Sequence, residues 1–161
     1  MPQPVLITTA TLEQLTGKLA GLKRKLAQSI PETKHAYETG GYWHDNFAWD
    51  EMRRRQADLK GQIREIEEVL FHHILIDRVP VDTSRVGVGT TIRLRYRDTG
   101  EETNITILGP FESDPDRGIV SHQAPFTQAL LGKSIGEMCV FNDRQLEIVS
   151  ISRWMPQEAS L

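Results

Sequence analysis

Leucine and isoleucine recur at three- and four-residue steps in two stretches of the amino-terminal half. The first carries Leu12, Leu15, Leu19, Leu22 and Leu26; the second carries Met52, Leu59, Ile63, Ile66 and Leu70. Apolar residues at that spacing line one side of an α-helix. Folding the stretches back antiparallel sets Leu12 against Leu70, Leu15 against Ile66, Leu19 against Ile63, Leu22 against Leu59 and Leu26 against Gln56, with the turn at Gly40-Gly41. The stripe is a narrow seam that holds two helices together and buries little else. The pattern predicts an antiparallel coiled-coil hairpin over residues 1–77 with its tip at about residues 40–47. The arms are roughly 40 Å long, and Tyr42-Trp43-His44-Asp45-Asn46 falls at their far end.

Local signals place the helix ends. Thr11 with Gln14 has the spacing of an N-terminal cap, and the first helix is expected from about Thr11 to Glu38. Pro31 either kinks it or opens a second segment. Gly40-Gly41 end it, and Asp45-Asn46 are good caps for a second helix reaching about Ile74. Gln56 is the polar intruder on the ladder, a residue type that often sets register at some cost in stability.

The periodicity changes after Asp77. Residues 78–86 read as a linker, and a compact domain is expected over 87–155 with a tail at 156–161. Thr90–Tyr96 alternates at period two, Asp98-Thr99-Gly100 turns the chain, and Glu102–Leu108 alternates again: a hairpin. Ile119–Ser121 is a short strand. Ala124–Gly132 is a short helix with proline at its start and glycine at its end. Met138–Phe141 and Gln145–Ile151, around Asn142-Asp143, form a closing hairpin. The fold class is α+β, a helical hairpin followed by a small antiparallel sheet with one short helix.

Composition narrows the possibilities. The 161 residues are 39% hydrophobic and 25% charged, which suits globular folding of both halves. No apolar run approaches the ~20 residues of a membrane span, so no membrane partner is expected. Cys139 is the single cysteine, which excludes an internal disulfide or a cysteine zinc site and suits a reducing cytoplasm. A formal charge of −3 opposes general nucleic-acid coating, so any contact with RNA or DNA needs a local patch.

Two motifs carry a family resemblance. Val120–Glu137, reading Val-Ser-His-Gln-Ala-Pro-Phe-Thr-Gln-Ala-Leu-Leu-Gly-Lys-Ser-Ile-Gly-Glu, is similar to the stretch I-S-x-x-S-P-[LI]-x-x-A-L-[LI]-G-K-x-x-G-D of the bacterial GreA/GreB transcription elongation factors. The Val88–Ile92 run is similar to their first strand. The resemblance covers nearly the whole chain. It implies an FKBP-like carboxy-terminal domain that docks on RNA polymerase, at the β and β′ subunits beside the secondary channel, and a coiled-coil tip that enters that channel. It implies an accessory factor rather than an enzyme. No intrinsic cofactor is expected, only an Mg²⁺ ion shared with the polymerase, and the chain is expected to be a monomer.

The family tip reads Gly-Asp-[Leu/Ile]-x-Glu-Asn, and here Gly41-Tyr42-Trp43-His44-Asp45-Asn46 aligns with it. Tyr42 replaces the first acid, and Asp45 stands for the glutamate. The resemblance makes Asp45 the carboxylate that assists polymerase-bound Mg²⁺ in two-metal cleavage of backtracked RNA; otherwise Asp45 caps the second helix. Asp50 or Glu51 either substitutes for the missing acid or favours the helix dipole. Tyr42, Trp43, Phe47 and Trp49 either staple the helices or meet a partner. Arg53, with Arg54, is the expected contact to the nascent RNA 3′ end, and Pro125, Phe126, Leu130 and Leu131 shape the expected polymerase-binding helix. A Gre-fold regulator that occupies the channel without stimulating cleavage is the alternative.

Overall fold

A computed structural model of the chain describes residues 3–39 and 47–156. The chain divides into two compact units. One spans Leu12–His72; the other joins Gln3–Thr11 to the chain from His73 onward.

The first unit is the helical hairpin. Helix α1 runs unbroken over Thr9–Thr39, with Pro31 inside it, and α2 spans Phe47–Phe71. Pro31 therefore does not open a second segment. Leu15, Leu22, Ile63 and Ile66 are buried along the seam, while Leu12, Leu19, Leu26, Met52, Leu59 and Leu70 are half-buried. The pairing is antiparallel, but its register lies about one turn away from the leucine-to-leucine alignment. Gln56 Nε2 donates to Ser29 Oγ at 3.2 Å and to Thr33 Oγ1 at 2.8 Å, instead of facing Leu26. Lys23 Nζ reaches Glu67 Oε1 at 2.7 Å. Hydrogen bonding explains the offset: against Leu26 the amide would lose its partners, whereas Ser29 and Thr33 supply two hydroxyl acceptors. Those hydroxyls in turn donate to the carbonyls of Leu26 and Ser29. The seam thus continues past its last leucine as a polar layer.

The second unit begins before the hairpin. Val5–Ile7 is strand β1 and pairs in parallel with β2, His73–Leu75. Helix α2 therefore stops at Phe71, short of the expected Ile74, and residues 73–77 belong to this unit. Ile7, in β1, and Ile76, in the turn just after β2, are almost wholly enclosed, and pairing between the two strands satisfies the backbone polar groups beside them. The α1 cap also lies three residues earlier than Thr11. Thr8 Oγ1 accepts the Thr11 N–H at 3.2 Å, Glu112 Oε1 accepts the Thr8 N–H at 2.8 Å, and Asp77 Oδ1 accepts the Thr9 N–H at 3.0 Å. Two carboxylates thus serve the donors that a helix start leaves open.

Among the described residues the main sheet has five strands: β3 (Thr90–Tyr96), β4 (Glu102–Leu108), β5 (Ile119–Ser121), β6 (Met138–Phe141) and β7 (Arg144–Arg153), in the order β5-β4-β3-β7-β6. The pairs are antiparallel except β4 with β5, so the sheet is mixed. Alternation sends Ile92, Leu94, Ile105, Ile107, Leu146 and Ile148 to one face, where they enclose Leu130 of helix α3 (Pro125–Leu130). Arg93 and Arg95 fall on the other face, and Arg95 pairs with Glu102 at 2.7 Å. Asn142 and Asp143 turn β6 into β7 with φ of 50° and 62°, the left-handed pair of a tight hairpin. Asp98, in the β3–β4 turn, accepts from Arg144, whose guanidinium holds the Asp98 carboxyl below its usual range. Residues 78–80 and 82–85 are exposed, and the segment is anchored at Val86, which is buried in the core, donates to the Lys133 carbonyl and accepts from Gly132.

Candidate functional site

The tip residues Gly41, Tyr42, Trp43, His44, Asp45 and Asn46 lie outside the described residues. The helix ends that flank them are described. Tyr37, near the end of α1, and Trp49, in the first turn of α2, bring their ring centroids to 5.9 Å at a tilt of 50°. The guanidinium of Arg53 lies over the Trp49 ring, 4.7 Å from its centroid. Trp49 is half-buried, whereas Tyr37 is 68% exposed. Of the four aromatics expected around the turn, Trp49 is in this contact and Phe47 is exposed. Its partner Tyr37 did not figure among the expected tip residues. No sequence signal points to it, because the leucine-to-leucine register sets Trp49 against Thr33 instead of Tyr37.

The three consecutive arginines have different surroundings. Arg53 stacks on Trp49, and Arg55 Nε faces Glu51 Oε1 at 3.4 Å. Arg54 is exposed, and no described carboxylate pairs with it or with Arg53. Asp50 is exposed in the first turn of α2, where a negative charge suits the helix dipole. Glu51 is engaged with Arg55. Among the described residues no group of three or more histidine, cysteine, aspartate or glutamate side chains could hold a metal ion. Asp45, the carboxylate expected to assist the polymerase-bound Mg²⁺, lies outside the described residues.

In the second unit two side-chain hydrogen bonds brace the motif around α3. Gln128 Nε2 donates to the His122 carbonyl at 2.7 Å, and the Gln123 N–H donates to Ser121 Oγ at 3.1 Å. Pro125 is exposed at the first helical position, Phe126 packs on Phe141 at 4.9 Å, and Leu131 is half-buried. Leu130 is wholly buried, which corrects its place among partner-facing residues: it binds α3 to the sheet and presents nothing outward. Cys139 is core as well, and its burial pushes the thiol pKa up, which disfavours the reactive thiolate.

A helical hairpin with a cationic, aromatic distal end, followed by a mixed-sheet domain, defines a class of two-part proteins. The family model described as transcription elongation factor, GreA/GreB, C-terminal, matches residues 81–153. Transcription elongation factor GreA of Treponema pallidum is 33% identical over 150 residues, covering 88% of this chain and 92% of the relative. GreA of Thermoanaerobacter pseudethanolicus is 30% identical over 138 residues, covering 86% and 88%. The crystal structure of the GreA homolog Gfh1 of Thermus thermophilus is 20% identical, with a TM-score of 0.44 over 93% of this chain and 99% of that one. The chain belongs to the GreA/GreB family of transcription elongation factors.

Proposed function

We propose that this protein binds bacterial RNA polymerase in the cytoplasm through its carboxy-terminal domain, inserts the hairpin tip into the secondary channel, and so regulates elongation. The observation that carries the proposal is kinship with GreA over both halves of the chain, hairpin included. The seam from Leu12 to Thr33 supports it, because a rod one seam thick can reach where a globule cannot. Exposed Pro125 with Phe126 and Leu131 supplies the docking helix, and the chain works as an accessory to the polymerase's own active centre.

Stimulated cleavage of backtracked RNA would run through Asp45, acting beside the polymerase's Mg²⁺. A second reading, occupancy of the channel without cleavage, is favoured by Tyr42 standing where the family tip has its first acid. Adding the protein to stalled, backtracked elongation complexes with Mg²⁺ separates the two. Shortened transcripts that Asp45→Ala abolishes establish cleavage. Slowed elongation without shortening establishes the second reading, and failure to bind core polymerase ends both.

A further inference from the structure

We infer that the free edge of strand β6 is an interface for a second copy of this chain, and that two copies join through it in a two-fold antiparallel pairing centred on Cys139. The inference does not depend on the proposed function.

The two edges of the main sheet are finished differently. At β5 the chain covers its own edge, where Asp114 and Ile119 exchange backbone hydrogen bonds at 2.9 and 3.0 Å. At the other edge β6 pairs only with β7. The Ile148 N–H donates to the Glu137 carbonyl at 3.0 Å, so Glu137, Cys139 and Phe141 turn their backbone groups towards β7. Those of Met138 and Val140 point away from the sheet, and no hydrogen bond to them occurs among the described residues. Exposed edges usually carry a charge, a proline or a bulge that discourages pairing. Met138-Cys139-Val140-Phe141 has neither charge nor proline, and its register with β7 is unshifted. Val140 is 62% exposed on the face away from the core.

The edge fits its own copy. A two-fold antiparallel pair sets one residue opposite its counterpart, and side chains that oppose each other share a face. Centred on Cys139, the pairing puts Met138 opposite Val140 of the second copy, twice over, each pair exchanging both backbone hydrogen bonds. Glu137 then faces Phe141, so apolar meets apolar and no like charges meet. Centred on Val140 instead, the pairing would set Glu137 against Asp143 and would need Asn142 extended, whereas its φ is 50°. So short a strand buries far less than the ~1,200 Å² of a stable interface, which makes the dimer weak, with Kd on the order of 10⁻⁴ M. The chain is a monomer when dilute and pairs when concentrated.

The test takes the purified full-length chain from about 10 μM to about 1 mM, a range that brackets such a Kd, through sedimentation equilibrium and amide hydrogen exchange. A dimer is expected to appear with concentration, and exchange at the Met138 and Val140 amides to slow as it does, while the rest of the sheet is unchanged. Val140→Lys is expected to weaken the dimer roughly tenfold, because it loses two apolar cross-strand pairs and brings two ammonium groups close. Adding Met138→Glu to Val140→Lys is expected to restore most of that loss, since position 138 opposes position 140 of the second copy. Circular dichroism melting reports whether each variant folds, and the exchange measurement on the unaltered chain stands without them. A chain that stays monomeric at the top of the range overturns the inference. So does a dimer that protects other amides, or a folded double variant no tighter than Val140→Lys alone.

Discussion

A methyl group at Gly109 would sit 1.8 Å from the carbonyl oxygen of Leu6 and 2.7 Å from Oε2 of Glu112. The first of these is backbone, in the strand that leads into α1, so it cannot swing away as a side-chain end can. Gly109→Ala is therefore expected to destabilise the second unit by about 1–3 kcal/mol, the cost of forcing atoms into a filled space. It should also displace the Glu112 carboxylate that accepts the Thr8 N–H. Urea unfolding, together with hydrogen exchange at Leu6 and Thr8, measures both effects; an unchanged midpoint with unchanged protection would contradict the contact. In sequence, Gly109-Pro110 reads simply as a strand breaker, because nothing local shows that residue 6 passes over it. Leu130 is the same lesson with the opposite sign. A leucine in a six-residue helix has too little periodicity around it to say which face is buried, and only the sheet beneath decides.

At the scale of elements, length and period separate what is legible from what is not. Both long helices and the two hairpins of the main sheet repeat their pattern several times, so each can be read locally. Strands β1 and β2 are three residues each and pair across most of the hairpin's sequence, which leaves no period to detect. The hairpin's register is hidden for another reason: a ladder of similar leucines tolerates an offset of one turn, and hydrogen-bonding side chains break the tie. Gln56 makes that choice here through Ser29 and Thr33. Gln56→Leu is expected to raise the unfolding midpoint by the equivalent of about 1 kcal/mol, because it adds apolar contact while both hydroxyls keep their own carbonyl acceptors. The gain should come with weaker specification of register, as when a buried polar residue is lost from other coiled coils. Spin labels placed on the exposed faces of α1 and α2 would then show a broader distance distribution. A midpoint lowered by more than a kilocalorie would mean that the two amide bonds outweigh the added burial.

For the whole molecule, the consequential quantity is arm length. The proposed function gives docking on polymerase to the second unit and action to the hairpin tip, and on that proposal the two should separate when the rod is shortened in phase. Removing residues 22–28 from α1 and 59–65 from α2 takes one heptad from each arm. Leu12, Leu15 and Leu19, then Ser29 and Thr33, remain in register with Trp49, Met52, Gln56, Ile66 and Leu70. Each arm loses about 10 Å, at 1.5 Å per residue. The Gln56 layer, the Tyr37–Trp49 contact and the tip sequence all lie outside the deleted segments. The shortened chain is expected to melt cooperatively, to bind core polymerase as the full chain does, and to lose its effect on backtracked complexes. Co-sedimentation and transcript length on the same samples measure the two halves of that outcome. A shortened chain that still acted on the transcript would mean that reach is not what the hairpin contributes, and a role resting on the carboxy-terminal domain alone would replace it.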